Sequence, residues 1–185
     1  MKEKIDIMSF LEDNVIPAAG CTEIVAIGIS TCAGFGALTG NLPNGALKTD
    51  AALPDPEKVE LIELILDKRL YKNAYSVNIP CTGGMNGIEL AAAIGLFLNI
   101  NRSKPLEIFT QIEPQSIELA KRVLDKVSVS IDNGKGSLFV KATIMYDGHT
   151  IVSTMEGAHD RITSIIVDGK AVFSNPLNKL SCADG

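Results

Sequence analysis

The spacing of apolar positions changes along the chain and predicts two kinds of structure. Residues 5–14 carry apolar side chains at helical intervals, and Pro17 follows where this amphipathic helix would end. Residues 24–38 and 88–98 are apolar or small at nearly every position. Such runs are typical of helices that are buried on most of their faces. The first hundred residues are therefore expected to be mainly helical.

The segments between the two buried helices are shorter and less regular. Residues 39–56 are rich in Gly, Pro, Asn and Asp, which predicts a loop. Residues 57–66 match neither the helical nor the strand period cleanly, so a strand is favoured and a helix stays open. Residues 74–80 predict a short strand that ends at Pro80.

Beyond residue 104 the predicted elements are shorter. Residues 106–110 predict a short strand, and residues 114–126 predict a helix with Pro114 near its start. Further strands are predicted at 127–132, 138–146, 150–155, 161–167 and 170–173. The dipeptides between consecutive strands that predict hairpin turns are Asn133-Gly134, Asp147-Gly148 and Asp168-Gly169.

Together these elements predict an α+β fold. It combines buried Gly-rich helices with a small antiparallel sheet covered by a helix. We divide the chain into a helical part at 1–104, a small α+β domain at 105–175 and a tail at 176–185.

Composition and charge exclude several classes of function. The formal net charge is −5, Trp is absent, and Lys and Arg do not cluster, so we expect no nucleic-acid partner. No apolar run reaches the roughly 18 to 20 residues of a membrane span. The acidic start lacks the apolar core of a signal peptide. We therefore expect a cytoplasmic protein without a membrane partner.

The four cysteines are Cys21, Cys32, Cys81 and Cys182. They are too far apart in sequence for a zinc ribbon or a simple ferredoxin motif. A metal site complete within this chain is therefore not expected.

Cys21 stands where a turn-forming segment gives way to the first buried helix. The positive end of a helix dipole lowers thiol pKa values, so we expect Cys21 to tend toward the thiolate. Thr22 is expected to cap the helix, and Glu23 suits its first turn. A small buried thiol at a tight turn is the alternative.

A second segment leads from a predicted strand through a glycine-rich loop into the second buried helix. Backbone N–H groups of such a loop and a nearby hydroxyl could cradle a carboxylate, and close helix packing is the alternative. The candidate substrate-binding residues are Lys72, Asn73, Thr82, Gly83, Gly84 and Gly87.

The two histidines differ in their predicted surroundings. His159 follows a predicted strand and is a candidate general base, metal ligand or orienting group, with a simply hydrogen-bonded histidine as the alternative. His149 is expected in a hairpin turn, in contact with solvent.

In this order the segments resemble the L-cysteine desulfidase family, which is related to the alpha chain of iron–sulfur L-serine dehydratases. The matching stretches are residues 17–23, 72–87 and 157–159, of which the first two are the more specific. This chain departs from the family pattern at Ile24, where members carry proline, and at Cys81, where they carry glycine.

The resemblance implies an oxygen-sensitive 4Fe–4S cluster held by three cysteines, without pyridoxal phosphate. Cys21 would be one ligand, and the open iron would act as a Lewis acid on the departing thiol or hydroxyl. Elimination from L-cysteine or L-serine would give pyruvate and ammonia, with Glu23 and His159 as candidate catalytic residues. Family members are much longer, so we expect a second chain or a homo-oligomer to complete the site.

Two alternatives stay open. The chain could be a catalytically inactive relict, or a small amino-acid-binding module of the same fold. It could also be a self-contained thiol enzyme that uses Cys21 or Cys81, with His159 as the base.

Overall fold

The structure is a computed structural model that describes Ala18 and residues 20–45, 53–99, 104–136 and 138–175. The helix expected at 5–14, the tail at 176–185 and Cys182 lie outside the described residues. The described α-helices are α1 (Thr22–Leu38), α2 (Lys68–Ala74), α3 (Ile88–Leu96) and α4 (Pro114–Lys121). None of them is long and apolar enough to cross a bilayer.

The strands form a single six-stranded sheet, which confirms the predicted α+β class. They are β1 (Val59–Asp67), β2 (Val127–Asp132), β3 (Phe139–Tyr146), β4 (His149–Glu156), β5 (Ile162–Val167) and β6 (Lys170–Ser174). Their order is β2-β1-β3-β4-β5-β6. Only β1 and β2 run parallel, and the other neighbours are antiparallel.

Strand β1 settles the ambiguous run at 57–66 in favour of a strand. Its side chains Ile62, Leu64 and Leu66 are fully buried, as expected for one face of a pleated strand. It pairs with β2 on one side and with β3 on the other. The sheet therefore joins the two parts that we divided at residue 104.

The hairpins at Asp147-Gly148 and Asp168-Gly169 are confirmed, since each joins two neighbouring antiparallel strands. All four turn residues have positive φ, between 49° and 77°. This is the twist that two-residue hairpin turns require, and Asp and Gly are among the residues that tolerate it.

The hairpin predicted at Asn133-Gly134 is wrong. The chain does turn there, and the Asp132 carboxylate accepts a hydrogen bond from the Gly134 N–H at 2.8 Å. However, β1 lies between β2 and β3. A turn dipeptide fixes a local reversal, whereas burial of the apolar β1 on both sides decides which strands pair.

The two buried helices are confirmed, and they cross at very close range. Every residue from Ile24 to Phe35 in α1 is buried. A Cβ added at Gly95 of α3 would lie 2.8 Å from the Gly28 Cα and would overlap the Gly28 carbonyl oxygen. Glycine at both positions allows the two backbones to approach, so the middle of α1 packs directly against the end of α3.

Two of the predicted strands are wrong. Residues 74–80 form no strand beyond one isolated bridge between Asn78 and Asn86, since Ala74 ends helix α2 and the residues after it form turns. Residues 106–110 belong to a 3₁₀ helix at Pro105–Gln111, where the fixed φ of Pro105 suits a helical first turn.

The helix expected at 114–126 is shorter than predicted. Helix α4 ends at Lys121, and Leu124–Lys126 forms a separate 3₁₀ turn. Between them Val123 leaves the helical region, with φ −116° and ψ 4°.

Candidate functional site

The start of α1 brings a thiol and a carboxylate together. Cys21 is the N-cap residue, and its carbonyl oxygen accepts the first helical hydrogen bond from the Val25 N–H at 3.2 Å. Its side chain does not cap the helix but donates from Sγ to Glu23 Oε2 at 2.9 Å. The prediction that Thr22 is the cap is wrong, since its hydroxyl lies 3.3 Å from the same carboxylate oxygen.

The thiol of Cys21 is held in its protonated form. Burial raises its pKa, and the hydrogen bond to the Glu23 carboxylate raises it further, while backbone N–H groups lower it only in part. The expectation that Cys21 tends toward the thiolate is therefore wrong. The helix dipole is outweighed because the adjacent negative charge favours the neutral thiol.

Glu23 is the point where three segments meet. Its Oε1 accepts a hydrogen bond from the Asn73 side-chain amide at 2.9 Å, while Oε2 accepts the bond from Cys21. Burial acts to raise the pKa of Glu23, but these hydrogen bonds, its own backbone N–H and the charge of His159 outweigh it. The pKa falls to about 2, so the carboxylate stays ionised at any physiological pH.

Glu23 lines a cavity of about 210 Å³, which we call the Glu23 cavity. Its polar lining consists of Glu23, Asp67, Arg69, Asn73 and His159, and its apolar lining of Leu70 and Leu138. The volume corresponds to several water molecules at roughly 30 Å³ each. It lies below the roughly 300 Å³ at which pockets for drug-sized ligands begin, so it suits a small metabolite.

Two charged residues of this cavity, Asp67 and Arg69, were not among the candidates identified from the sequence. Asp67 caps α2, and its carboxylate accepts hydrogen bonds from the backbone N–H groups of Arg69, Leu70 and Phe139 at 2.8 to 3.0 Å. A signal was present: an aspartate before Lys-Arg-Leu-Tyr is an N-cap pattern. It would have placed Arg69 and Asn73 four residues apart on one helix face.

Lys72, the other candidate substrate-binding residue on α2, is exposed and does not line the Glu23 cavity, although it neighbours Asn73. His149 was expected in the hairpin turn but is the first residue of β4, directly after it; its side chain is half exposed as expected, and its Nδ1 is 2.7 Å from Asp168 Oδ2.

The glycine-rich loop is held together by its own hydrogen bonds. The buried Thr82 hydroxyl donates to the Ile79 carbonyl at 2.7 Å and accepts from the Met85 N–H at 3.1 Å. Its proton is therefore used inside the loop rather than offered to a ligand. Gly83 and Gly84 are exposed with positive φ, and a Cβ added to either would meet nothing within 4 Å.

The end of the loop starts helix α3. Gly87 is its N-cap residue, with φ 111°, and no side chain caps this helix end. Cys81 also has a positive φ, 62°, in the left-handed region that favours glycine. The family to which the sequence bears a resemblance carries glycine at this position.

The loop and the start of α1 nevertheless lie in contact. A Cβ added at Gly20, whose φ is +90°, would lie 2.8 Å from Pro80 Cγ. The segments at 20–23 and 72–87 are thus neighbours at two points, through Gly20 with Pro80 and through Glu23 with Asn73.

The described residues do not hold a complete metal site. Among them, no group of three His, Cys, Asp or Glu side chains could bind a metal ion. Cys32 is buried and donates to the Leu98 carbonyl at 3.1 Å, and burial raises its pKa to about 12, so it is a core residue. Cys81 is exposed on the loop. Of the three described cysteines, only Cys21 lies beside the Glu23 cavity as a suitable thiol ligand, and one thiol does not by itself fit a 4Fe–4S cluster.

Comparison with known proteins gives relatives but no activity. No family model matches the chain. It is 33% identical over 167 residues to a UPF0597 protein of Thermosipho africanus, which covers 90% of this chain and 37% of that protein. A UPF0597 protein of Desulfotalea psychrophila is 34% identical over 170 residues, or 91% of this chain and 35% of that protein. The chain thus spans little more than a third of the length of these curated relatives.

Proposed function

We propose that this chain is part of an iron–sulfur-dependent lyase that eliminates H₂S or water from L-cysteine or L-serine. The observation that carries the proposal is that Cys21 and Asn73 donate hydrogen bonds to the Glu23 carboxylate and that His159 lines the same cavity. These residues come from the same three stretches on which the resemblance to L-cysteine desulfidases rests. Their meeting at one small polar cavity supports a shared substrate site.

The two candidate catalytic residues take different roles in this proposal. Elimination requires a base that removes the α-proton as the β-thiol or hydroxyl departs, and the resulting enamine hydrolyses to pyruvate and ammonia. His159 is assigned as this base, since imidazole is the usual general base near neutral pH. Glu23, with a pKa of about 2, is too weak a base and serves instead to hold positive charge.

Cys21 is assigned as the thiol that this chain contributes to the cluster. A metal ligand must be a thiolate, and the Cys21 Sγ already donates its hydrogen to Glu23 Oε2. The remaining ligands would come from outside the described residues.

The test is anaerobic purification of this chain, co-expressed with a polypeptide that covers the rest of its relatives' length. Iron, acid-labile sulfide and pyruvate formation from L-cysteine and L-serine are measured. We expect iron, sulfide and activity in the pair, and loss of all three in Cys21→Ala. Cys81→Gly is the matched control, and it should retain them.

Two results would overturn the proposal. One is iron and activity that are retained in Cys21→Ala. The other is the absence of iron and of pyruvate formation in every anaerobic sample.

An amino-acid-binding module without catalysis is the second candidate. It is favoured by one observation, namely that the described residues bring one cysteine, not three, to the Glu23 cavity. It predicts binding of L-serine with neither iron nor pyruvate formation in the same samples.

A further inference from the structure

Arg69 is the cationic side chain that lines the Glu23 cavity without a partner. Its backbone N–H bonds to Asp67, but its guanidinium makes no hydrogen bond or ion pair with any residue in the described ranges. An arginine beside two carboxylates usually pairs with one of them, because bidentate guanidinium–carboxylate pairs are among the strongest polar contacts. This guanidinium is instead left with its five N–H donors free for a ligand.

The backbone that carries Arg69 is firmly held. The Asp67 carboxylate, 2% exposed, ties the first turn of α2 to the start of β3 through three backbone N–H groups. Leu70 packs into the core beside it. Arg69 and Asn73, four residues apart, both face the cavity. The guanidinium is therefore presented from a fixed helix rather than from a loop.

Glu23 is the carboxylate that remains accessible in this cavity. Asp67 is 2% exposed and both of its oxygens accept hydrogen bonds from backbone N–H groups, whereas Glu23 is only partly buried. Glu23 accepts three hydrogen bonds from the side chains of Cys21, Thr22 and Asn73. Since a carboxylate offers about four lone-pair sites, Glu23 keeps room for one further donor.

We propose that the Glu23 cavity binds the zwitterion of an α-amino acid, with Arg69 holding the α-carboxylate and Glu23 holding the α-ammonium. This inference deepens the proposed function, on which it rests for the choice of L-serine and L-cysteine as ligands. A guanidinium that has no protein partner among the described residues and a carboxylate that accepts side-chain hydrogen bonds both line this cavity, and they match the two opposite charges that every α-amino acid carries. Arg69 is thereby a substrate-binding residue that sets the orientation of the amino acid in the cavity.

The test is isothermal titration of the purified chain with L-serine. Two probes each lack one charge: ethanolamine lacks the carboxylate, and 3-hydroxypropanoate lacks the ammonium group. We expect L-serine to bind and each probe to bind at least about 10-fold more weakly, since each loses one charge-assisted contact.

Variants then assign each contact to a residue. Arg69→Gln should weaken L-serine binding about 10- to 100-fold and abolish its advantage over ethanolamine. Arg69→Lys should recover part of the affinity, because lysine keeps the charge without the bidentate fork. Lys72→Gln is the matched control, since it removes the same charge from an exposed position of the same helix, and it should bind like the parent chain.

The inference is overturned if L-serine does not bind, if ethanolamine binds as tightly as L-serine, or if Arg69→Gln binds like Lys72→Gln. These outcomes are separate from the fate of the proposed lyase. Charge-selective L-serine binding without iron or pyruvate formation would uphold the inference while overturning the proposed function.

Discussion

The starts of helices α1 and α3 have similar sequences and different structures. Cysteine, threonine and glycine residues lie near each start, and each start opens a helix buried on nearly all sides. At α1, the Cys21, Thr22 and Asn73 side chains hydrogen-bond to Glu23, and His159 lines the same cavity. At α3, Thr82 bonds only within its own loop, and Gly83 and Gly84 face open space.

The difference shows what makes a polar site at a helix start. The dipole and the free N–H groups are present at both ends. At α1, however, charged and polar side chains from distant segments also converge on the first turn. At α3 the side-chain hydrogen bonds serve the loop itself, so its glycines shape the chain and leave no selective contacts for a ligand.

The largest effect is expected where the two helices cross. Gly95→Ala places a methyl group against the Gly28 backbone and the Thr31 hydroxyl, so α1 and α3 must move apart. We expect a loss of about 2–3 kcal/mol in the free energy of unfolding. Urea denaturation measures it, with Gly136→Ala as control, because a Cβ at Gly136 meets nothing within 4 Å. Equal stabilities of the two variants would contradict the close crossing.

The loop before α3 is tested by Thr82→Val. This change removes the hydroxyl and leaves the Met85 N–H without its side-chain acceptor, which should lower the free energy of unfolding by about 1–2 kcal/mol. Thr110→Val removes an exposed hydroxyl and should stay within about 0.5 kcal/mol of the parent. L-Serine affinity should not change in Thr82→Val. A loss of L-serine affinity without the expected loss of stability would show that the loop, not the Glu23 cavity, forms the binding site.

The start of α1 is tested by the pH dependence of Glu23→Gln. The folded pKa of Glu23 is depressed to about 2 from an ordinary value of 4.5, so ionised Glu23 stabilises the fold above pH 4.5. That contribution is lost as the pH falls toward 2. Because solvent reaches the carboxylate, we expect a contribution of about 1 kcal/mol or less. Urea denaturation at pH 5 and at pH 2 measures this contribution. From pH 5 to pH 2 the free energy of unfolding should fall less in Glu23→Gln than in the parent, and equal falls would contradict the contacts assigned to Glu23.

The smallest effect is expected at Cys81, the loop residue that has a left-handed backbone conformation and is not glycine. Cys81→Gly removes a Cβ from a position with φ 62° and should raise the free energy of unfolding by about 0.5 kcal/mol. The higher chain entropy of glycine in the unfolded state offsets part of the gain. Cys81→Ala keeps the Cβ and should give no gain. A more stable alanine variant would show that the thiol, not the backbone, sets the effect.

The sequence predicted the parts of this fold that depend on local pattern. The buried helices α1 and α3 follow from their nearly all-apolar composition, and the hairpins at 147–148 and 168–169 follow from turn chemistry. Strand β1 was favoured although its apolar pattern left a helix open. The place of β1 between β2 and β3 did not follow, because pairing over long sequence distances is decided by burial of whole strands.

The candidate site, too, was predicted from the sequence only in part. Cys21, Glu23, Asn73 and His159 are near one another as the resemblance suggested, although their hydrogen bonds could not be read from spacing. Arg69 was missed because no element was predicted between the strands at 57–66 and 74–80, where α2 lies. The raised pKa of Cys21 was missed because it depends on the rotamer that Glu23 adopts beside the thiol.

The most direct test of the central claim is a nuclear magnetic resonance titration of the ¹⁵N-labelled chain with L-serine. If the Glu23 cavity is the site, the backbone amide signals of Glu23, Arg69, Asn73 and His159 and the side-chain amide signals of Asn73 should shift together, with one common affinity. The signals of Gly83 and Gly84 should stay in place. Shifts centred on Gly83 and Gly84, or no shifts at millimolar L-serine, would contradict the account.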